Sequence, residues 1–530
     1  MKMNFAEKCL LWAEKTPDGA AIYSVEQGVF TYCWLAENAR RFAKVLRRLG
    51  VGKGDRYLCI LPSIPETAAV FLGGQLIGAV PVMVFSGYGE RELEHVFRAS
   101  EPKLVVTTAA HHVKVAGLIT TLAIEHLVVL NEATALMPSF SDLMAESAGD
   151  QEPDPVPTEE DDLAELIFTS GTTGAPKGIP HTHGNVLRQC EAMVHGWGGI
   201  EPGDVIYTSG PISFAIGLHC HFHLPFFTGA SSLYCTERVS PQRFLELVGK
   251  YKVTHIMTSA VQLWNVLSIP PQREHLQHIK CLGIGGAAVT GELAKKWFES
   301  YGTEIQSSLA MTETLGASFR SKPGKKSADT LGEIVADWEF KLIDPEDPTC
   351  QREVLPGETG VLWLKGPTLL PYYWNDPQLT RERIRDGWFN TCDLVRVDAD
   401  GCLRHMGRAD DVIKSAGWRI SPIEIEDALK EHPAVRDAVV VGVPDLQRGH
   451  IVVAVIIPSG VGSESEELAL ELRAFARERL AGYKVPQMFL FRENIPRTAS
   501  GKVQRKLLSQ ELEETSFRNE ADSTGDEAKK

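Results

Sequence analysis

The chain has no C-x-x-C pair, no basic tract and no G-x-x-x-x-G-K-[ST] loop, and each absence removes a class of function. Its ten cysteines are scattered, which suits reduced thiols in a cytosol better than a disulfide framework. A formal net charge of −15, with no run of Lys and Arg, argues against general nucleic-acid binding. The missing phosphate loop argues against a kinase built on it. Long apolar runs are equally scarce. One uncharged stretch, Thr67 to Gly87, has the length of a bilayer span, but Gly73, Gly74, Gln75 and Pro81 interrupt it. A buried helix followed by a buried strand is the better reading. The opening "MKMNFAEKCLLWAEKTPD" carries Glu7, Lys8 and Glu14 among its apolar residues. It reads as an amphipathic helix ending near Pro17 rather than a signal peptide, so a cytoplasmic protein with no membrane span is expected.

What is present is α/β patterning. At 530 residues the chain exceeds a single core, and two or more domains are expected. Helical and short strand patterns alternate up to about residue 400. "VVTTAAHHVKVAGLI" and "HIKCLGIGGAAV" read as strands running into turns. Residues 144–162, "MAESAGDQEPDPVPTEEDD", form an acidic, Pro-rich connector. From Ile423 a small α+β unit reads helix, strand, strand, helix, and past Leu512 the polar, charged text predicts disorder.

The densest chemistry lies in Thr169–Gly178, "TSGTTGAPKG": four hydroxyl residues, three glycines, a proline and one lysine, after the apolar run Leu163–Phe168. Glycines let backbone N–H groups approach a polyanion, hydroxyls add donors, and a lysine supplies a point charge. Pro176 directly before Lys177 disfavours a helix there. Taken alone, the residues fit a flexible connector equally well. Four other stretches stand out. "SLAMTETLGASF" offers Thr312 and Glu313, and "GWFNTCDLVRVDADG" offers Asp393 at a strand end. "GRADDVIKSAGWRISPIEIE" gathers Arg408, Asp410, Asp411, Lys414, Gly417 and Arg419, and "PRTASGKVQRKLL" places Lys502 on a loop.

Together and in this order, these stretches resemble the adenylate-forming superfamily: acyl- and aryl-CoA synthetases, peptide-synthetase adenylation domains and firefly luciferases. The resemblance runs from about residue 5 to about residue 510 and is closest to benzoate-CoA ligase-like aryl-acid ligases. It implies a large N-terminal multilayered α/β domain, 1–409, and a small mobile C-terminal α+β domain, 410–512, with a tail at 513–530. It implies an ATP-dependent carboxylic acid–CoA ligase working through an enzyme-bound acyl-AMP, with ATP, Mg²⁺ and coenzyme A. The partners are a small carboxylic acid, ATP and CoA; a carrier-protein thiol is the alternative acceptor, and a homodimer is allowed.

The site residues follow from the same resemblance. Thr169, Ser170, Gly171, Thr172, Thr173, Gly174 and Lys177 form the phosphate loop. Glu313 is the Mg²⁺ ligand and Thr312 reaches the α-phosphate. Asp393 takes the ribose hydroxyls, with Arg408 and Arg419 as further nucleotide contacts, and Gly286 and Ala287 lie beside adenine. Lys502 bridges the acid and the α-phosphate. Asp410 is the hinge and Gly417 flanks the thiol tunnel. The acid pocket takes in Phe214, Ile216, Gly217, His219, Gly285, Met311 and Gly316.

The sequence departs from the family pattern in places. Leu309-Ala310 replace a usual Tyr-Gly, so adenine would stack on aliphatic groups, and Thr391-Cys392-Asp393 replaces Thr-Gly-Asp. Cys392 reads as a small buried hydrophobe. Ile216 and Gly316 stand where the aryl-acid branch often has Tyr and His, which predicts a larger, apolar pocket. His219, His221 and His223 alternate by two, as zinc ligands on a strand could. The family places them on a helix, where i, i+2 residues face apart, so no zinc site is expected.

Overall fold

The computed structural model describes residues 4–130, 139–149, 156–169, 176–285, 289–321, 330–347, 349–398, 401–445, 447–460, 465–498 and 502–513. Ser170, Gly171, Thr172, Thr173, Gly174, Gly286 and Ala287 lie outside the described residues, as do the Arg419 side chain and the expected tail beyond residue 513.

These residues fall into two compact units. The first runs to Glu339 and takes back Lys365–Phe389; the second holds Phe340–Leu364 and the chain from Asn390 on. The hinge position Asp410 therefore lies within the second unit.

The first unit is built on sheets. One has four parallel strands, Val80–Met83, Arg56–Ile60, Leu104–Thr108 and His126–Leu130, in that spatial order. Its strands are runs of Val, Leu and Ile buried on both faces, as parallel strands covered by helices must be. A six-stranded sheet runs Cys281–Ile284, His255–Thr258, Val205–Thr208, Ser231–Tyr234, Ala20–Ser24, Gly28–Thr31, and only the last strand is antiparallel to its neighbour. The uncharged stretch at Thr67 is the buried helix Pro65–Leu76 followed by the buried strand Val80–Met83. Among the described residues no helix is long and apolar enough to cross a membrane. One expectation fails locally: after strand Leu104–Thr108 the chain enters a helix, Ala109–Thr121, rather than a turn. Ala-rich sequence without Pro or Gly until Gly117 permits it.

In the second unit the strands Glu339–Ile343, Thr359–Lys365, Trp388–Val397 and Leu403–Arg408 share a sheet. Beyond it come the helix Pro422–Lys430, the strands Val435–Asp445 and Gly449–Pro458, paired antiparallel, and the helix Glu466–Arg479. This is the helix–strand–strand–helix order that the hydrophobic pattern predicts.

Candidate active site

Strand Leu163–Thr169 pairs antiparallel with strand Lys177–Thr182, and Thr169 lies opposite Lys177. The glycine- and hydroxyl-rich segment therefore connects a hairpin. No helix follows it directly; the next helix, His183–Gly196, starts six residues beyond Lys177, at a Thr182 cap accepting from the Asn185 N–H. The Pro176 carbonyl accepts from His95 Nε2 at 2.9 Å, which anchors the returning arm.

The Thr312–Glu313 turn follows strand Ser308–Met311 and precedes strand Gly316–Arg320, an antiparallel pair. Both residues are half-buried. Four contacts fix the turn. His181 Nε2 donates to the Thr312 carbonyl at 2.8 Å. Tyr373 O–H donates to Glu313 Oε1 at 3.0 Å. The Leu370 N–H donates to the Glu313 carbonyl at 2.8 Å, and Thr368 Oγ1 to the Thr314 carbonyl at 2.7 Å. Burial pushes His181 down to about 4, so the ring is neutral and its one proton sits on Nε2. The segment Thr368–Trp374 is itself tied to the hairpin, since the Trp374 N–H donates to the Gly178 carbonyl at 2.9 Å. Glu313 thus has one oxygen held by Tyr373, and among the described residues its other oxygen has no hydrogen bond.

The acid-pocket candidates each sit against close neighbours. A methyl placed on Gly285 would lie 2.3 Å from Ile216 Cδ1, so Ile216 closes directly over that glycine. The Phe214 and Phe85 rings stand 5.3 Å apart, tilted at 34°. A methyl on Gly316 would lie 1.8 Å from the Gln189 amide nitrogen. The space expected to be apolar at Gly316 is therefore filled by a buried amide from the helix above it. Gly217 serves packing: its Cβ direction meets the Pro211 carbonyl at 1.9 Å. His219 is buried and engaged within the protein. Its Nε2 donates to the Leu315 carbonyl and its Nδ1 meets His223 Nδ1 at 3.0 Å. Residues His219–His223 wind as a π turn, and His221 reaches Ser232 instead.

In the second unit Asp393 is buried and faces Arg408 across the strand pair, with Arg408 Nη1 on its Oδ1 at 3.0 Å and His405 Nε2 at 3.4 Å. Arg408 Nη2 also lies 3.5 Å from Asp410 Oδ2. Cys392 is buried with φ +60, a conformation glycine adopts without cost, so this cysteine holds a bend that favours glycine. Ala416 and Gly417, φ +48 and +82, form the two-residue loop between strands Ile413–Ser415 and Trp418–Ile420. Positive φ at both positions marks the tight hairpin turn that prefers glycine. Lys502 is exposed; its N–H donates to Thr498 Oγ1 at 3.1 Å and its carbonyl accepts from the Thr498 N–H at 2.7 Å.

Sequence reading missed His95, His181, Gln189, His405 and Tyr373. Each acts through a contact distant in sequence, such as the 60 residues between Tyr373 and Glu313, and none belongs to a local motif.

Comparison with known proteins shows the family. The chain matches the AMP-binding enzymes over residues 10–374 and the AMP-binding enzyme C-terminal domain over residues 424–502. It is 30% identical over 497 residues to a benzoate–CoA ligase of Thauera aromatica, covering 92% of both chains. A long-chain-fatty-acid–CoA ligase of Bacillus subtilis is 29% identical over 537 residues, 94% of this chain and 93% of that one. A benzoate CoA ligase of Burkholderia xenovorans superposes with a TM-score of 0.86 at 28% identity, covering 96% of this chain and 99% of its own. ATP and CoA are substrates of such ligases. The chain belongs to the AMP-binding enzymes, as an AMP-forming acyl- or aryl-CoA synthetase of two-domain α/β fold.

Proposed function

We propose that the enzyme activates a monocyclic aromatic or alicyclic acid, substituted and somewhat larger than benzoate. The supporting observation is the surroundings of the expected pocket residues: Ile216 over Gly285, the Phe85–Phe214 pair, and one buried amide, Gln189, against Gly316. Mostly apolar walls with a single polar group suit a ring bearing one hydrogen-bonding substituent. The relatives divide almost evenly between benzoate and long-chain acids at 30% and 29% identity, so identity does not choose between them. A medium-chain fatty acid is the alternative substrate, and a carrier-protein thiol the alternative acceptor.

The chemistry assigned to these residues is two displacements. The acid's carboxylate oxygen attacks the α-phosphorus of ATP, and the bond to pyrophosphate breaks. A thiolate then attacks the acyl carbon of the mixed anhydride, and AMP leaves. The first step brings anions together, so Lys502 and Lys177 supply positive charge and Thr312 a hydroxyl donor. Glu313 fits Mg²⁺: a half-buried carboxylate offering one unengaged oxygen is the hard donor this ion takes beside substrate phosphates. When bound, Mg²⁺ supplies charge neutralisation at the phosphates. Asp393 is placed as the acceptor for the ribose hydroxyls, oriented by Arg408 and His405. Arg419 is assigned a nucleotide contact, and Ser170 to Gly174 the phosphates, as in the family. Asp410 is assigned the hinge between the two steps.

The acid assignment is tested by kcat/KM for substituted benzoates, cyclohexanecarboxylate, hexanoate and octanoate. Ring acids should lead, with acetate and palmitate poor; straight chains winning by about tenfold or more, a 1.4 kcal/mol preference, would overturn it. Gly316→His, which must displace the Gln189 amide, should shift preference toward smaller acids. An unchanged ranking would place Gly316 outside the pocket.

A further inference from the structure

One buried carboxylate has no part in that chemistry. Glu165 lies in the middle of strand Leu163–Thr169, 1% exposed among apolar neighbours. Its Oε2 meets His223 Nε2 at 3.0 Å, His223 Nδ1 meets His219 Nδ1 at 3.0 Å, and His219 Nε2 meets the Leu315 carbonyl. The proton positions in this chain follow from its last member. A carbonyl only accepts, so His219 Nε2 carries hydrogen. Burial, with His223 nearby, pushes His219 down to about 3; the ring is neutral and its Nδ1 is a bare acceptor. His223 must therefore donate from Nδ1. Burial raises Glu165, but His223 beside it outweighs this and holds the carboxyl below its ordinary value. His223 Nε2 lies 3.0 Å from Glu165 Oε2, so the carboxyl and the two rings form one continuous hydrogen-bonded chain to the Leu315 carbonyl.

The chain ends at a residue that needs holding. Leu315 follows the Thr312–Thr314 turn directly and has φ +55, the left-handed region that L side chains disfavour. Glu165 also faces the turn's other end across the strand pair, without a hydrogen bond to it. Its cross-strand partner is His181, whose Nε2 holds the Thr312 carbonyl. Neither Glu165 Oε1 nor His181 Nδ1 has a hydrogen-bond partner. A pair buried this deeply is a poor source of stability, because desolvation offsets its attraction. Its value lies in where the hydrogen-bonded chain ends.

We propose that Glu165 is a positioning residue for adenylation: through His223 and His219 it holds the carbonyl of Leu315, the residue that ends the Thr312–Thr314 turn, and so aims Thr312 and Glu313 at ATP. This rests on the adenylation reading above. Glu165→Gln keeps the size and an acceptor but removes the charge. It is expected to lower kcat for acyl-AMP formation by about tenfold or more, as small misplacements of reacting groups do. KM for ATP, and thioester formation from supplied acyl-AMP, should stay near wild type. In the ligand-free enzyme, amide hydrogen exchange across 308–316 should speed up while that across 435–445 does not change. His223→Gln should reproduce both effects and carries the test where Glu165→Gln does not fold. Unchanged kcat with unchanged exchange, or both half-reactions lowered in step, overturns the proposal. A wild-type enzyme without acid-dependent ATP–pyrophosphate exchange would fault the adenylation reading instead, and the exchange of 308–316 still decides whether Glu165 holds the turn.

Discussion

Lys502→Ala is expected to lower adenylation by about 100-fold or more, because the transition state at the α-phosphorus loses a cation placed for its developing charge. The fold should tolerate the change. Lys502 is exposed, and its loop is closed by the backbone and by Thr498 rather than by the lysine side chain. A surface truncation of this kind shifts stability by about 0.5 kcal/mol at most. Thioester formation from supplied acyl-AMP should survive, since no attack on phosphorus remains to be made. Acid-dependent pyrophosphate exchange near the wild-type rate would remove Lys502 from the catalytic assignment.

Gly417→Phe should give the opposite pattern. On the tunnel assignment the thiol reaches the acyl carbon past the hairpin loop, and a ring there would hold it off. A misplacement of about 1 Å already costs about 100-fold, so thioester formation should fall at least that far while adenylation continues. The Cβ direction at Gly417 is open, with nothing within 4 Å, so no neighbour in the free hairpin opposes the side chain. The φ of +82 does oppose it, and Gly417→Asn is the control, because Asn tolerates the left-handed region with less bulk. The Asn variant should keep much of the thioester step. Equal loss of both half-reactions in Gly417→Phe would count against the tunnel assignment.

Much of this site could be read from local text. The hydroxyl loop, the Thr-Glu turn, Asp393 and Lys502 each sit in a short motif, and strand or helix type around them follows from hydrophobic period. The Ala416-Gly417 turn is of the same kind, since a glycine between two short strand patterns already suggests a left-handed backbone. What could not be read is what lies across the fold. Gln189 fills the room left at Gly316 from a helix 127 positions earlier in the chain, a distance no periodicity spans. The histidines show a subtler failure. The i, i+2 spacing correctly separates His219 from His221, yet i, i+4 brings His219 onto His223, ring centroids 5.0 Å apart. Glu165 did leave a trace: a carboxylate inside the apolar run "LAELIF" needs a buried partner. Which residue supplies it, His223 across 58 positions, only the fold reveals.

The central claim is that the enzyme makes an acyl-AMP before any thiol takes part. ATP–pyrophosphate exchange with the acid panel, run first without CoA and then with it, tests this most directly. The account predicts exchange that needs an acid and Mg²⁺ but no CoA, and net release of AMP and pyrophosphate once CoA is added. Exchange that requires CoA, or release of ADP and phosphate in place of AMP, would contradict it.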